Sequence, residues 1–407
     1  MRTRLLRISG LALVLALVGA ACGSSDNQSA RDGADGSTAS TATSTNTTDN
    51  SQAAGLRATL TQQLKDHVWL AGISVNTAVN TGLTSPATKA AMEALDKNSV
   101  DLSDSIESVY PGAGKTFLPL WRKHIGFFVD YTAAGAKGDK AGQEKARKEL
   151  DGYREDFGAF IASANPNLTK QAVANALIGH VNTVFDAIDA SLAKSPTVFE
   201  KLQIASTEIE KDADVLAGAI AKQKNLGDSN SPASDLRTTL NAQLDDHVWL
   251  AGVGINTAIN TGPTSAATKA ALDTLDANSV DLSKSIDSVY PGAGKTFLPL
   301  WRKHIQFFVE YTLAGAKGDE AGQSKARDGL DEYRADFGAF IASANPNLSK
   351  EAVADELVPH VDSLFDTIDA ALKKSPETPQ KLAEAAKKMH HTAEVLAGAI
   401  AKQKALS

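Results

Sequence analysis

Beyond about residue 55, apolar side chains recur along the chain at alternating three- and four-residue steps. One stretch carries Leu56, Leu60, Leu64, His67, Ala71, Ser74 and Ala78, and another Phe117, Leu120, His124, Phe128 and Tyr131. This spacing draws one stripe along a helix of 3.6 residues per turn, and no segment shows the two-residue alternation of a half-buried strand. Six helical segments are expected in order. The first runs from about Leu56 to Asn80, and the second follows Thr84-Ser85-Pro86 with Leu95, Leu102, Ile106 and Val109 on its stripe. The third runs from about Ala113 to Lys137 and the fourth from Asp139 to Ala164. Asn165-Pro166-Asn167 stops the fourth, Thr169 caps a fifth carrying Val173, Leu177, His180, Val184 and Ile188, and Ser195-Pro196 opens the sixth. Pro, Gly, Asn and small hydroxyl residues stand at the joints, where helices start and stop.

The same pattern then returns. Leu56–Leu226 and Leu236–Leu406 align without a gap at an offset of 180 residues. Roughly 70% of the aligned positions are identical, which marks duplication of a whole domain and not a solenoid of short units. The most closely repeated stretch is SVYPGAGKTFLPLWRKHI, from Ser108 and again from Ser288. The expectation is an all-α fold of two tandem helical bundles of about six helices each, at residues 55–226 and 236–407. A short polar linker at 227–235 would join them.

The N-terminus changes the setting. A basic MRTRLLR segment, an apolar run from Ile8 to Gly19 and small residues before Cys22 read as a signal peptide over residues 1–21. Cys22 is the one cysteine of the chain, and directly after Gly19-Ala20-Ala21 it reads as a lipidated cysteine that begins the mature protein. Residues 22–54 are dominated by Ser, Thr, Asn, Asp, Gly and Ala. Such a stretch cannot bury enough surface to order itself and is expected to be a disordered tether. The localisation expected is extracytoplasmic, lipid-anchored to the cell membrane. A net charge of −7 argues against nucleic acid or an anionic lipid surface as a partner, so membrane contact would run through the lipid anchor only.

Chemistry is sparse. PGAGKT at Pro111–Thr116 and Pro291–Thr296 resembles part of a phosphate loop, but the first glycine of that loop would fall on Val109 or Val289. A helix, not a strand, precedes it, so no nucleotide is expected and the glycines read as turn residues. The histidines say more. His67, His124 and His180 recur as His247, His304 and His360, each near mid-length on the apolar stripe of its helix. Helices of similar length packed side by side bring such residues to a similar depth, so the three can converge. Three imidazoles suit copper or zinc, and two across a cleft would suit haem iron. Carboxylates that could ligate or support such a site are near in sequence: Asp66, Asp101, Asp130, Asp156 and Asp189, with counterparts Asp246, Asp281, Glu310, Asp336 and Asp369. Against this, no helix carries the paired ligands usual in bundle metal sites, and buried histidines also occur as plain core residues. His390 and His391 lack counterparts and, being adjacent on a helix, cannot both face one site. Trp69, Trp121, Trp249 and Trp301 read as core anchors. No spacing for nucleophilic or paired-carboxylate catalysis stands out.

Three motifs carry a resemblance: Asp66-His67 with Leu70-Ala71, Trp121 with His124, Ile125 and Phe128, and Leu216-Ala217 with Ala219-Ile220. In these the chain resembles a largely uncharacterised family of exported bacterial helical proteins with tandem repeats, some of them named as copper amine oxidase-like. The resemblance spans both repeats and implies, at most, copper. The topaquinone precursor implied by the amine oxidase name needs an Asn-Tyr pair, and none occurs. The function expected is therefore an extracytoplasmic binding protein, holding copper or zinc at a histidine cluster in each repeat, without catalysis. The alternative is a structural or partner-binding envelope lipoprotein without a cofactor. An oxidoreductase working through bound metal or haem is a third class.

Overall fold

Hydroxyl and carboxylate side chains set where the helices begin. Ser85, Asp139 and Thr169 each accept a hydrogen bond from a backbone N–H three residues on, and Ser265, Asp319 and Ser349 repeat the device. Each such cap contributes about 1 kcal/mol. The computed structural model describes residues 52–406. The expected signal segment, Cys22 with its lipidation, and the tether up to residue 51 lie outside the described residues.

The first repeat comprises α1 (Gln52–Thr81), α2 (Pro86–Val109), α3 (Gly114–Ala136), α4 (Lys140–Ala164), α5 (Lys170–Leu192) and α6 (Val198–Lys224). The second comprises α7 (Pro232–Thr261), α8 (Ala266–Val289), α9 (Gly294–Gly315), α10 (Glu320–Ala344), α11 (Lys350–Glu356), α12 (Val358–Leu372) and α13 (Thr378–Lys404). The fold is all-helical, with no strand among the described residues, and none of these helices is long and apolar enough to cross a membrane.

Three details differ from the expectation. Helix α1 begins at Gln52 with Ala53 and Ala54 fully buried, so the end of the expected tether is helical and packed. Helix α7 begins at Pro232, inside the expected linker. The counterpart of α5 is broken into α11 and α12 beside Pro359, where the first repeat has Gly179. A proline there cannot donate to the Asp355 carbonyl, and its ring crowds that same group.

Helix α1 is the hub of the first repeat, packing on α2, α3, α5 and α6, and α7 packs likewise on α8, α9, α12 and α13. The two hubs also pack on each other, with α2 against α13 and α6 against α8 on either side. The buried apolar residues of both repeats belong to one continuous cluster. Close approach depends on small residues: a Cβ on Gly158 would stand 2.4 Å from the backbone oxygen of Lys170, so α4 meets the start of α5 only because that position is glycine.

The seam between the hubs is polar in its centre. Trp69 and Trp249 stack with centroids 6.3 Å apart, and each indole N–H crosses over to the other repeat. Trp69 donates to Asp246 and Trp249 to Asp66, both at 2.9 Å. Lys65, fully buried, donates to Asp246 at 3.0 Å and to Glu210. Burial disfavours its charge, but the two carboxylates outweigh that and raise its pKa. The aligned residue in the second repeat is Asp245. Burial first, and the mutual repulsion of Asp66 and Asp245 second, hold the Asp245 carboxyl well above the usual range, so this pair keeps a proton. Near one end of the seam, Arg57 forks onto Asp214 at 2.6 and 3.1 Å and reaches Asp235 and the Ser229 carbonyl. One guanidinium thereby ties α1 to α6, to the connecting segment and to α7.

Candidate metal centre

Three helices of the first repeat each deliver one imidazole to the same depth. His67 comes from α1, His124 from α3 and His180 from α5, with relative exposures of 2%, 3% and 4%. The Nε2 atoms of His67 and His124 lie 3.2 Å apart. Ring centroids of His67 stand 5.2 Å from His124 and 6.3 Å from His180. Donor atoms of all three fall within 4.8 Å of one another, which no other trio of potential ligand residues achieves among the described residues.

Aromatic rings hold the imidazoles in place. Trp121 packs at 4.8 Å from His67 and, edge to face, at 4.5 Å from His124, while Tyr153 stacks on His124 at 5.1 Å. Burial and the neighbouring imidazole of His180 push His124 down to about 3. Burial alone pushes His180 to about 4 and, aided by the other two imidazoles, holds His67 well below the ordinary value. All three rings are therefore neutral at physiological pH, and neutral imidazole is the form that ligates a metal. Their Nδ1 atoms are buried and without a hydrogen-bond partner.

The spacing fits a metal. Two imidazole nitrogens at the usual 2.0–2.1 Å from a tetrahedral ion stand about 3.3 Å apart, and the His67–His124 separation is 3.2 Å. The widest separation allowed within the trio, 4.8 Å, would have to close by roughly 1.5 Å to match.

Of the carboxylates near the histidines in sequence, all but Asp130, which is exposed on α3, are engaged elsewhere. Asp66 accepts from Trp249, Asp101 from Lys97 and Lys387, and Asp189 from Tyr131. Asp156 pairs with Lys123, and Asp246, Asp281, Glu310, Asp336 and Asp369 likewise have partners away from the imidazoles. The carboxyl that does share a cavity with the cluster is Asp212, from α6. It lines a void of about 30 Å³ together with Trp121, His124, Tyr153 and His180, and its Oδ2 has no partner. Such a void has room for one small polar species. Burial, with Glu208 adding to it, raises the Asp212 carboxyl to about 7. Asp212 sits on a helix whose histidine-free stripe gave no reason to select it. The duplication replaces it with Thr392, but that is one of more than twenty positions at which the copies differ in charge, so the sequence carried no signal that singled it out.

In the second repeat His247, His304 and His360 are gathered similarly, with Nε2 atoms of His247 and His304 at 3.2 Å and His247–His360 centroids at 6.4 Å. Here Thr392 replaces Asp212 and lies against Glu356, and His360 follows the proline break. His390 and His391 do not join this cluster: His390 lies 3.9 Å from Glu394, and His391 is exposed beside Glu356. Trp69 and Trp249 belong to the seam and not to the histidine sites. In the PGAGKT turn, the N–H groups of Gly112 and Gly114 donate to Glu107 at 2.7 and 2.8 Å, so the amides that a phosphate would use are already taken.

A comparison of the chain with protein-family models, with characterised proteins and with solved structures finds no match.

Proposed function

We propose that the chain is an exported, lipid-anchored protein of two helical bundles that binds a transition metal, copper or zinc, at His67, His124 and His180. A second, weaker site would lie at His247, His304 and His360. The observation that carries this reading is the pair of buried, neutral imidazole nitrogens at metal-spanning distance, with a third ring beside them. Imidazole suits both ions, and a buried neutral ring is desolvated at lower cost than a carboxylate. Asp212 is the group best placed to complete the first site, either as a ligand or through a water in the shared void. Haem is not proposed: the voids beside the cluster, about 30 and 20 Å³, take a water and not a macrocycle.

A second reading has its own observation. The His67–His124 contact is itself a hydrogen bond if one Nε2 carries a proton, and the aromatic packing around it is that of a finished core. In that reading the chain is a structural or partner-binding envelope lipoprotein. Metal analysis of the purified full chain, followed by titration with Cu²⁺ and Zn²⁺, separates the two. The metal reading expects about one tightly held equivalent, lost in His124→Ala, with a weaker one lost in His304→Ala. A chain that stays metal-free after exposure to both ions leaves the second reading standing.

A further inference from the structure

A cleft of about 670 Å³ opens at the seam where the last turns of α1 and α7 meet the loops preceding α6 and α13. None of the clustered histidines lines it, and its size is that of sites for drug-sized ligands, which favour such junctions between repeated units. Its lining is doubled by the duplication: Asn76 with Asn256, Asn80 with Asn260, and Lys194 with Lys374. On α1 the Asn80 amide N–H₂ donates to the carbonyl oxygens of Asn76, both backbone and side chain. The Asn76 N–H₂ and the Asn80 side-chain oxygen make no other bond among the described residues. Asn256 and Asn260 repeat this on α7. Each repeat thus offers a side-chain donor next to a side-chain acceptor, the pairing that a sugar hydroxyl, itself both donor and acceptor, can satisfy at once.

Charge narrows the class. The chain is net −7, yet no Asp or Glu lines the cleft, and Lys194 and Lys374 have no ion pair among the described residues. Both lysines sit in the left-handed region, with φ of 52° and 53°, directly after α5 and α12. Glycine is the usual residue at that position because it has no Cβ to crowd. The two lysines therefore place two positive charges, one from each repeat, on the lining of a cleft that has no carboxylate.

We propose that this cleft binds an anionic saccharide of about disaccharide size, its hydroxyls read by the four asparagines and its carboxylates by the two lysines. The test is isothermal titration of the full chain with digalacturonate, with cellobiose as the neutral disaccharide and with inorganic phosphate as the bare anion. Digalacturonate is expected to bind at least about tenfold more tightly than either control. The double variant Lys194→Gly, Lys374→Gly relieves the backbone strain, so its melting temperature should rise while digalacturonate affinity falls at least about tenfold. Asn76→Ala with Asn256→Ala should weaken digalacturonate without changing the phosphate response. No digalacturonate binding, binding unchanged in the lysine variant, or phosphate matching digalacturonate would each overturn the proposal.

Discussion

Replacing Lys65 with Met tests the seam most directly. The side chain is fully buried, and its ammonium sits between Asp246 and Glu210 with the Ser206 carbonyl at 3.4 Å. Methionine fills similar volume but removes the charge. Glu210 is 31% exposed at its side chain and can turn to water; Asp246, 6% exposed, cannot. Its Oδ1 keeps the bonds from Trp69 at 2.9 Å and Ser206 at 2.8 Å, but Oδ2 is left buried with a negative charge and no cation. Orphaning one member of a buried pair costs about 3–5 kcal/mol, a large part of the stability of an ordinary domain. Adding Asp246→Asn removes the stranded charge and should recover most of that loss. The assay is equilibrium unfolding in guanidinium, followed by tryptophan fluorescence and far-UV circular dichroism at pH 7.5. A loss below about 1 kcal/mol at pH 7.5, or no recovery with Asp246→Asn, would refute this account of the seam.

Stability without metal should fall on acidification. The six clustered imidazoles are held neutral, His124 and His247 down to about 3 and His180 and His360 to about 4, so their contribution is complete above the unfolded value near 6.5 and is lost below it. Asp212, raised to about 7, runs the other way: its contribution is complete at low pH and is lost as pH rises through 7. The proton held by Asp66 and Asp245 acts in the same sense as Asp212. The six imidazoles outnumber the three raised carboxyls, Asp66, Asp212 and Asp245, so unfolding takes up protons on balance once the unfolded imidazoles are protonated. Denaturant midpoints should therefore drop between about pH 6.5 and 5; a flat profile contradicts the buried neutral cluster. Gly158→Ala drives a methyl to 2.4 Å from the Lys170 carbonyl oxygen and should cost about 1–3 kcal/mol by the same unfolding assay. Gly126→Ala, in an exposed turn of α3 with nothing within 4 Å, should instead gain about 0.5–1 kcal/mol.

Much of the architecture is written in local sequence, because helix periodicity, caps and turn residues act over a few residues. The six-segment order, the caps at Ser85, Asp139 and Thr169, and the turn at Gly112 all follow from neighbours in the chain. So did the common depth of His67, His124 and His180, since equal position along packed helices fixes depth. What remained hidden depends on contacts between residues far apart in sequence. The exchange of Trp69 and Trp249 onto the opposite repeat's aspartates, the burial of Lys65, the orphaned Asp212 and the cleft at Asn76 and Asn256 exist only once the two repeats pack. Lys65 against Asp245 and Asp212 against Thr392 are two of more than twenty aligned positions at which the copies differ in charge, so divergence in the sequence did not single them out. Nor could it say which of those side chains would face water. Burial and the pairing of charges are decided by the neighbours that folding supplies, not by the residues adjacent in the chain.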